Sequence, residues 1–486
     1  MSLVVMRCQP LRRALAISGG IVIIKAKEIE VVAGNPFQND KLSRKENAEI
    51  LTEFVCSSSE PMVVCIDAPW GQGKTTFLRM WEQHLKDNKV PTLYFNAWEN
   101  DFTDDAFVSL IGEIGSAIET LTNAENESKT KEYYQKAKRV GLGLVKRSIP
   151  VATKIATAGV LDLDKVTEQA LSSFAESVAN DQIEKYEKAK KTLGSFREHL
   201  ADFSDSVASK NEKPLVFIID ELDRCRPNFS IEILEKAKHF FNVPNIIFVL
   251  GADKEQLGHS IKSVYGQDIN VNGYLRRFID FDYLLPTPEK GVFVNALFDK
   301  YSFSEYFATK QSNSTRYERD QALKMFTELF DVFQLTLREQ MHCCSLLSLS
   351  IRTTPSDYKL FPLFLCLLIV LKVKKTEVYK KFIHGEISPC QLIEIIREND
   401  SSGGVFESNY GAVLEAYIIV CRTNHYVDKD VTAPYVMVRD SQESTENERQ
   451  RASRILQIIE RFELDGGIGI LDYLVKKIEI ASRFNT

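Results

Sequence analysis

One stretch near the start of the chain constrains its fold more than any other: an apolar run that breaks into a loop with two glycines and then continues as a helix. Residues 63–67 (VVCID) have the unbroken apolar character of a strand that is buried on both faces. Residues 68–73 (APWGQG), called the glycine loop below, interrupt this run, and residues 74–81 (KTTFLRMW) are predicted to be helical. This order of elements is typical of folds in which helices cover a parallel sheet.

Three later apolar runs extend the pattern. Residues 93–98, 215–220 and 245–250 are also strand-like, and helical segments separate them. The sequence therefore predicts an α/β fold with three layers, in which a parallel sheet lies between two layers of helices. After Pro286 the pattern is helical to the C-terminus.

The glycine loop has the residue types that a phosphate-binding loop needs. Backbone N–H groups of such a loop and of the following helix converge on phosphate oxygens, which favours small residues. Lys74 would reach the β- and γ-phosphates of a nucleotide, and Thr75 would offer its hydroxyl to Mg²⁺. Ala68 stands where the general pattern has its first glycine, which its small size makes tolerable. The candidate nucleotide-binding residues are Trp70, Gly71, Gln72, Gly73, Lys74, Thr75 and Thr76.

A second candidate segment, residues 220–224 (DELDR), ends the third apolar run and is called the acidic turn. A carboxylate at the end of a buried strand is costly unless it is paired or serves a cation, so Asp220 suits a Mg²⁺-linked position. Glu221 suits the base that polarises the attacking water. Asp223 and Arg224 complete this part of the candidate catalytic set. The alternative is a solvated acidic turn without a catalytic role.

Asp253 follows the fourth apolar run and has two interpretations. Its side chain could lie between the acidic groups and the γ-phosphate, or it could cap the helix that is predicted to begin at Lys254. The residues alone favour neither interpretation.

Together these residues resemble the KAP family of P-loop NTPases. The segments that carry the resemblance are Trp70-Gly71-Gln72-Gly73-Lys74-Thr75, Phe95-Asn96-Ala97-Trp98, Asp220-Glu221-Leu222-Asp223-Arg224-Cys225 and Tyr274-Leu275-Arg276-Arg277-Phe278-Ile279. Glu221 stands where the family commonly has aspartate, which keeps the charge and lengthens the reach. The resemblance implies a core related to the STAND and AAA ATPases, with ATP and Mg²⁺ as ligands, that works by nucleotide-driven assembly.

The resemblance also implies an arginine that acts across subunits, because such a group can stabilise transition-state charge. Arg224, Arg276 and Arg277 are the candidates, and Arg338 resembles a sensor arginine. For each of them the alternative is an ordinary surface salt bridge. We therefore expect a homo-oligomer, a complex with partner proteins of a multi-gene system, or both.

The chain is expected to have three parts: an N-terminal extension (1–34), the nucleotide-binding domain (35–286) and a helical C-terminal region (287–486). A helical insertion at about 117–210 separates the glycine loop from the acidic turn. Its end, 181–211, is rich in Glu, Lys and Ala and predicts an exposed antiparallel helix pair. Members of the family often carry membrane helices in this insertion. Here residues 140–161 contain three cations, so we expect no membrane-spanning segment.

The insertion carries a basic face that has several interpretations. It could meet a nucleic acid, an anionic membrane surface or an acidic partner, or it could be a solvated helix surface. Its residues are Lys131, Lys136, Lys138, Arg139, Lys146 and Arg147.

Composition excludes several classes of protein. With 61 Lys and Arg against 67 Asp and Glu, the net charge of −6 excludes a histone-like nucleic-acid binder. The nine cysteines lack zinc-ligand spacing and predict reduced thiols in a cytoplasmic protein.

Residues 21–32 predict an opening strand or hairpin rather than a signal peptide. The apolar run at 360–371 is too short for a membrane span and predicts a buried helix.

Three functions follow as hypotheses. The first is an ATPase that switches or assembles other components, for which the resemblance suggests bacterial defence against phage. The second is a nucleotide-gated scaffold with little hydrolysis. The third is a nucleic-acid-engaging ATPase that uses the basic face, which would bind with a steep dependence on salt.

Overall fold

A computed structural model describes the greater part of the chain as two compact units. One unit spans Ile29–Thr287, and the described residues of the other begin at Pro288. The predicted strand or hairpin at 21–32 lies outside the described residues except at its end. The described residues are 29–58, 60–103, 106–121, 127–145, 187, 190–192, 194–208, 212–237, 242–309, 315–354, 359–400, 403–408, 410–422, 427, 429–464 and 469–482.

The first unit contains a five-stranded sheet. Its strands are β1 (Met62–Asp67), β2 (Thr92–Asn96), β3 (Leu215–Asp220), β4 (Ile246–Ala252) and β5 (Phe281–Leu284). Their order across the sheet is β2-β3-β4-β1-β5, and all neighbours are parallel, which confirms the predicted sheet. Because the carboxyl ends of parallel strands lie at one edge, the glycine loop after β1 and the acidic turn after β3 share that edge.

Alternate residues of the central strands enter two separate cores. Phe217 and Phe248, which are paired across β3 and β4, belong to one core. Val216 and Ile247, one position earlier on each strand, belong to the other. The strands are therefore apolar on both faces, which explains their unbroken apolar runs and requires helices on each side of the sheet.

Helices form the two outer layers. The helices of this unit are α1 (Lys45–Cys56), α2 (Lys74–Asp87), α3 (Ala106–Leu121), α4 (Glu127–Val145), α5 (194–208), α6 (Pro227–Ala237), α7 (Lys254–Tyr265) and α8 (Val271–Leu275). Helices α1 and α2 supply Leu51 and Trp81 to one core. Helices α3, α5 and α7 supply Ile111, Phe203 and Leu257 to the other.

The prediction of an exposed helix pair at 181–211 is wrong for helix α5, which is the longest described part of that segment. Phe196, Leu200 and Phe203 are buried in the core of the unit. Their spacing of four and three residues places them on one face of the helix. The charged composition of the segment obscured this apolar face. The ring centroid of Phe203 lies 6.5 Å from that of Tyr134 on α4, so α5 packs on the earlier part of the insertion.

The second unit consists of helices and connecting loops over its described residues. Residues 362–371 of α13 are buried on every side, so the prediction of a buried helix at 360–371 is confirmed. The helices are α9 (Val292–Lys300), α10 (Phe303–Thr309), α11 (Thr315–Val332), α12 (Leu337–Arg352), α13 (Pro362–Lys374), α14 (Thr376–His384), α15 (Pro389–Asn399), α16 (Gly404–Glu407), α17 (Gly411–Val420), α18 (Lys429–Asp440), α19 (Glu446–Leu464) and α20 (Ile470–Ser482).

No helix in the described ranges combines the length and the apolar character that a membrane crossing requires. Of the segment 140–161, for which no span was expected, residues 146–161 lie outside those ranges.

Candidate nucleotide-binding site

The glycine loop connects β1 to α2 and owes its shape to two residues. Gly71 and Gly73 have φ values of 80° and 78°, which residues with a side chain rarely adopt. Ala68 is buried and is not among the described residues with positive φ. The loop therefore requires glycine at positions 71 and 73 but accepts alanine at position 68.

Lys74 begins α2, and its side chain is folded back into the loop. Its Nζ donates to the Ala68 carbonyl at 3.0 Å and lies 3.8 Å from Asp223 Oδ1. That oxygen is buried and has no hydrogen-bond partner among the described residues. The other Asp223 carboxylate oxygen accepts a hydrogen bond from the Trp70 indole. Asp223 thus joins the acidic turn to the glycine loop.

Asp220 is fully buried at the end of β3. Its Oδ2 accepts a hydrogen bond from the Tyr94 hydroxyl at 2.7 Å, and its Oδ1 accepts one from the Glu221 backbone N–H at 2.7 Å. Burial raises the pKa of this carboxyl, and the two hydrogen bonds oppose the increase. Strand β4 passes close to the carboxylate, because a Cβ at Gly251 would lie 2.5 Å from Asp220 Oδ1.

Glu221 connects the acidic turn to α2. Its φ of 60° is unusual for a residue with a long side chain and costs about 1–3 kcal/mol, a strain that is common at functional sites. Its Oε1 accepts a hydrogen bond from the Thr75 hydroxyl at 3.2 Å and lies 2.6 Å from Arg224 Nη1. The Arg224 guanidinium is also 5.7 Å from the centroid of the exposed Trp98 ring. The candidate base and the candidate Mg²⁺ ligand are therefore in direct contact.

Asp253 is the N-cap of α7, as one of its two interpretations predicted. Its Oδ1 accepts hydrogen bonds from the backbone N–H groups of Glu255 and Gln256 at 3.1 and 3.2 Å. Its Oδ2 accepts a third from the backbone N–H of Trp70 at 3.0 Å. The cap therefore also holds the glycine loop, and a role of Asp253 toward the γ-phosphate stays a prediction.

The donor atoms of the site fit a nucleotide with Mg²⁺. Thr75, Asp220 and Glu221 carry oxygen atoms, the ligand type that Mg²⁺ prefers, and Lys74 supplies a positive charge for phosphate. Across the described ranges no cluster of three or more His, Cys, Asp or Glu could hold a metal ion. A site of this kind would rely on nucleotide phosphates for part of the metal coordination.

The candidate arginines lie in different places. Arg224 forms an ion pair with Glu221, but Glu221 is buried, so this is not the surface salt bridge that the alternative interpretation predicted. Arg276 and Arg277 are exposed after α8, and the Arg277 guanidinium is 6.0 Å from the Tyr274 ring centroid. Arg338 is exposed on α12 in the second unit. Action of any of them across subunits stays a prediction.

Part of the basic face is described, and it lies on α4. Lys136 Nζ pairs with Glu132 at 2.7 Å, and Lys138 Nζ lies 5.8 Å from the Tyr134 ring centroid. These contacts are those of an ordinary helix surface, and binding of a nucleic acid stays a prediction. The described members are Lys131, Lys136, Lys138 and Arg139, whereas Lys146 and Arg147 lie outside the described residues.

Three residues of the site were missed by sequence reasoning. Tyr94 offered a signal, because a hydroxyl in a buried apolar run needs a partner. Gly251 offered another, because glycine inside a strand marks a close approach of other atoms. Arg44 offered none: it precedes α1, and its guanidinium donates to the carbonyls of Gln72 and Gly73.

Comparison with known proteins agrees with this geometry. The KAP family P-loop domain matches residues 44–354, a range that includes the glycine loop and the acidic turn. The uncharacterized protein MJ0182 of Methanocaldococcus jannaschii is 29% identical over 177 residues, which are 33% of this chain and 88% of that protein. Because the matched domain covers more than half of the sequence and its motifs converge on one site, the chain belongs to the KAP family of P-loop NTPases.

Proposed function

We propose that this protein binds ATP with Mg²⁺ and hydrolyses it to switch or assemble a protein complex. One contact supports the proposal most strongly: Thr75 Oγ1 lies 3.2 Å from Glu221 Oε1, although the residues are 146 positions apart. The contact brings the phosphate-binding loop and the candidate base into one site. That site lies at the carboxyl edge of a parallel sheet, where α/β proteins bind their ligands.

Each group would have its own task. The backbone N–H groups at the start of α2 and the Lys74 ammonium would bind phosphate oxygens. Thr75 and Asp220 would hold Mg²⁺, which neutralises charge on the β- and γ-phosphates. Glu221 would orient a water molecule toward the γ-phosphate and accept its proton.

The Glu221–Arg224 pair favours a second candidate function, a nucleotide-gated scaffold with little hydrolysis. Glu221 Oε1 already accepts hydrogen bonds from Arg224 Nη1 at 2.6 Å and from the Thr75 hydroxyl at 3.2 Å, and these two donors compete with an attacking water for the carboxylate. A charge-assisted hydrogen bond contributes about 1.5–3 kcal/mol. A protein in which this pair stays closed would bind nucleotide and turn it over slowly.

The wider role is proposed from family membership. We place the protein in the cytoplasm, as a homo-oligomer or with partner proteins of a multi-gene system, and in bacterial defence against phage. An exposed arginine such as Arg277 is available to a neighbouring subunit.

The test compares ATP binding by calorimetry and phosphate release for the full-length wild type, Lys74→Ala and Glu221→Gln. We expect Lys74→Ala to lose ATP binding. Glu221→Gln should keep binding and lose about 10²–10⁴-fold in turnover. Glu49→Gln makes the same chemical change at an exposed position on α1 and should change neither quantity.

Two results would contradict the proposal. If Lys74→Ala abolishes binding but Glu221→Gln releases phosphate at the wild-type rate, Glu221 is not the base. If the wild type binds ATP but shows no turnover with any partner protein, the scaffold function replaces the hydrolytic one.

A further inference from the structure

Arg44 is a buried cation at the edge of the glycine loop. It is only 4% exposed and lies directly before α1. Its Nη2 donates to the Gln72 carbonyl at 2.8 Å, and its Nη1 donates to the Gly73 carbonyl at 3.4 Å. A third carbonyl, that of Pro286, lies 3.5 Å from Nη2. The guanidinium therefore joins the glycine loop to the backbone near the C-terminal end of the first unit.

The surroundings of Arg44 are costly for a cation. Within the described ranges its Nε has no hydrogen-bond partner, and the nearby Asp40 carboxylate offsets only part of the cost of burying the charge. Burial lowers its pKa to about 10, so the side chain is still charged at neutral pH. Burying a charge opposes folding unless hydrogen bonds compensate, and the compensating acceptors here are the two loop carbonyls and the Pro286 carbonyl.

The two loop carbonyls belong to peptide groups whose N–H groups are those of Gly73 and Lys74. In a trans peptide the C=O and N–H bonds point in opposite directions, and the described residues contain no cis peptide. Holding the Gln72 carbonyl toward Arg44 therefore directs the Gly73 N–H to the other side of the loop. The Lys74 N–H points the same way, and there the first turn of α2 contributes as well, because the Gly73 carbonyl also accepts the Phe77 N–H at 3.0 Å. Glycine at positions 71 and 73 leaves this backbone many conformations, so the loop benefits from an external restraint.

We infer that Arg44 is a positioning residue, which turns the N–H group of Gly73, and together with the first turn of α2 that of Lys74, toward the nucleotide phosphates. The inference rests on the proposed nucleotide binding. Arginine suits the task better than lysine, because its planar group presents parallel donors to two adjacent carbonyls, whereas an ammonium is a single point.

The experiment measures ADP and AMP affinity of the full-length wild type, Arg44→Lys and Arg44→Gln. Both variants should bind ADP about tenfold more weakly or worse, because the loop N–H groups contact the β-phosphate. AMP has no β-phosphate, so its affinity should change less, and the ratio of ADP to AMP affinity should fall. Arg44→Lys should lose less than Arg44→Gln. An equal loss for both nucleotides would show a merely structural role and overturn the inference.

Two further variants complete the design. Lys213 donates to the Asn88 carbonyl at 2.7 Å, away from the loop, so Lys213→Gln is a matched control that should leave the affinity ratio unchanged. Asp40 accepts the backbone N–H groups of Leu42 at 2.8 Å and of Arg44 at 2.6 Å, so Asp40→Ala removes both restraints on the backbone of Arg44 while keeping the arginine. If the Arg44 variants do not fold, Asp40→Ala should still lower the ratio, and an unchanged ratio overturns the inference.

The failure of this inference is distinct from failure of the proposed function. A wild type that binds neither nucleotide defeats the proposed function itself. A wild type that binds ADP tightly, loses it in Lys74→Ala and keeps it in the Arg44 variants defeats only the role of Arg44.

Discussion

Replacing Tyr94 by phenylalanine removes one hydroxyl from the interior of the nucleotide-binding unit. That hydroxyl donates to the Asp220 carboxylate at 2.7 Å, and Asp220 is fully buried. The aromatic ring remains, so the change leaves a buried carboxylate with one donor fewer rather than a large cavity. A hydrogen bond to a charged group contributes about 1.5–3 kcal/mol. Where Asp220 is ionised, we therefore expect Tyr94→Phe to lower the free energy of unfolding by about 2 kcal/mol.

The size of this loss should depend on pH. Burial already raises the pKa of Asp220, and the Tyr94 hydroxyl opposes the increase, so Tyr94→Phe should raise this pKa further. A carboxyl with a raised pKa in the folded state stabilises the protein at low pH, and this contribution disappears as the pH rises through that pKa. The variant should therefore differ most from the wild type at pH values above this raised pKa, and the difference should shrink as the pH falls and the carboxyl becomes protonated.

The assay is guanidinium unfolding followed by tryptophan fluorescence at about pH 7 and about pH 4.5. All three tryptophans, Trp70, Trp81 and Trp98, lie in this unit, so the signal follows it alone. Tyr134→Phe is the matched control, since its hydroxyl donates to the neutral Ile111 carbonyl at 2.9 Å. The control should lose about 1 kcal/mol at both pH values. If the loss in Tyr94→Phe is as independent of pH as the loss in the control, the reasoning is refuted.

Other substitutions test the rest of the structure. Gly251→Ala would place a Cβ 2.5 Å from Asp220 Oδ1 and should cost about 1–3 kcal/mol in the same unfolding assay, whereas an unchanged midpoint would contradict the close approach. Asp253→Ala removes the α7 cap and should cost about 1 kcal/mol; calorimetry should also show weaker ATP binding, since a loop restraint is lost. In the second unit, Glu415→Gln leaves Arg397 without the fully buried carboxylate that it contacts at 2.8 Å. It should cost about 3 kcal/mol in unfolding followed by circular dichroism, and no change would show that the pair is dispensable. Nucleic-acid affinity through the basic face should fall steeply with salt, and a flat response excludes that function.

The sequence by itself determined that the first unit is a parallel sheet between helices and that a glycine-containing loop follows its first strand. Strands β1, β3 and β4 are buried on both faces, so their apolar runs are continuous and can be recognised without knowledge of their partners. The glycine loop is partly local, because it contains two glycines with positive φ, although Arg44 and Asp253 hold it from outside. The charged segment that contains α5 shows the limit of composition, since its buried face is visible only from the spacing of its aromatic and aliphatic residues.

Only the tertiary structure decided which side chains meet in the site. The contacts of Thr75 with Glu221, and of Tyr94 with Asp220, depend on the order β2-β3-β4-β1-β5, which no local pattern contains. The contact of Arg44 with the loop depends on where the segment before α1 returns to the sheet edge. Backbone conformation is set largely by neighbouring residues, whereas a side chain responds to whatever the fold brings beside it. That is why the motifs could be read from the sequence but the partners of their side chains could not.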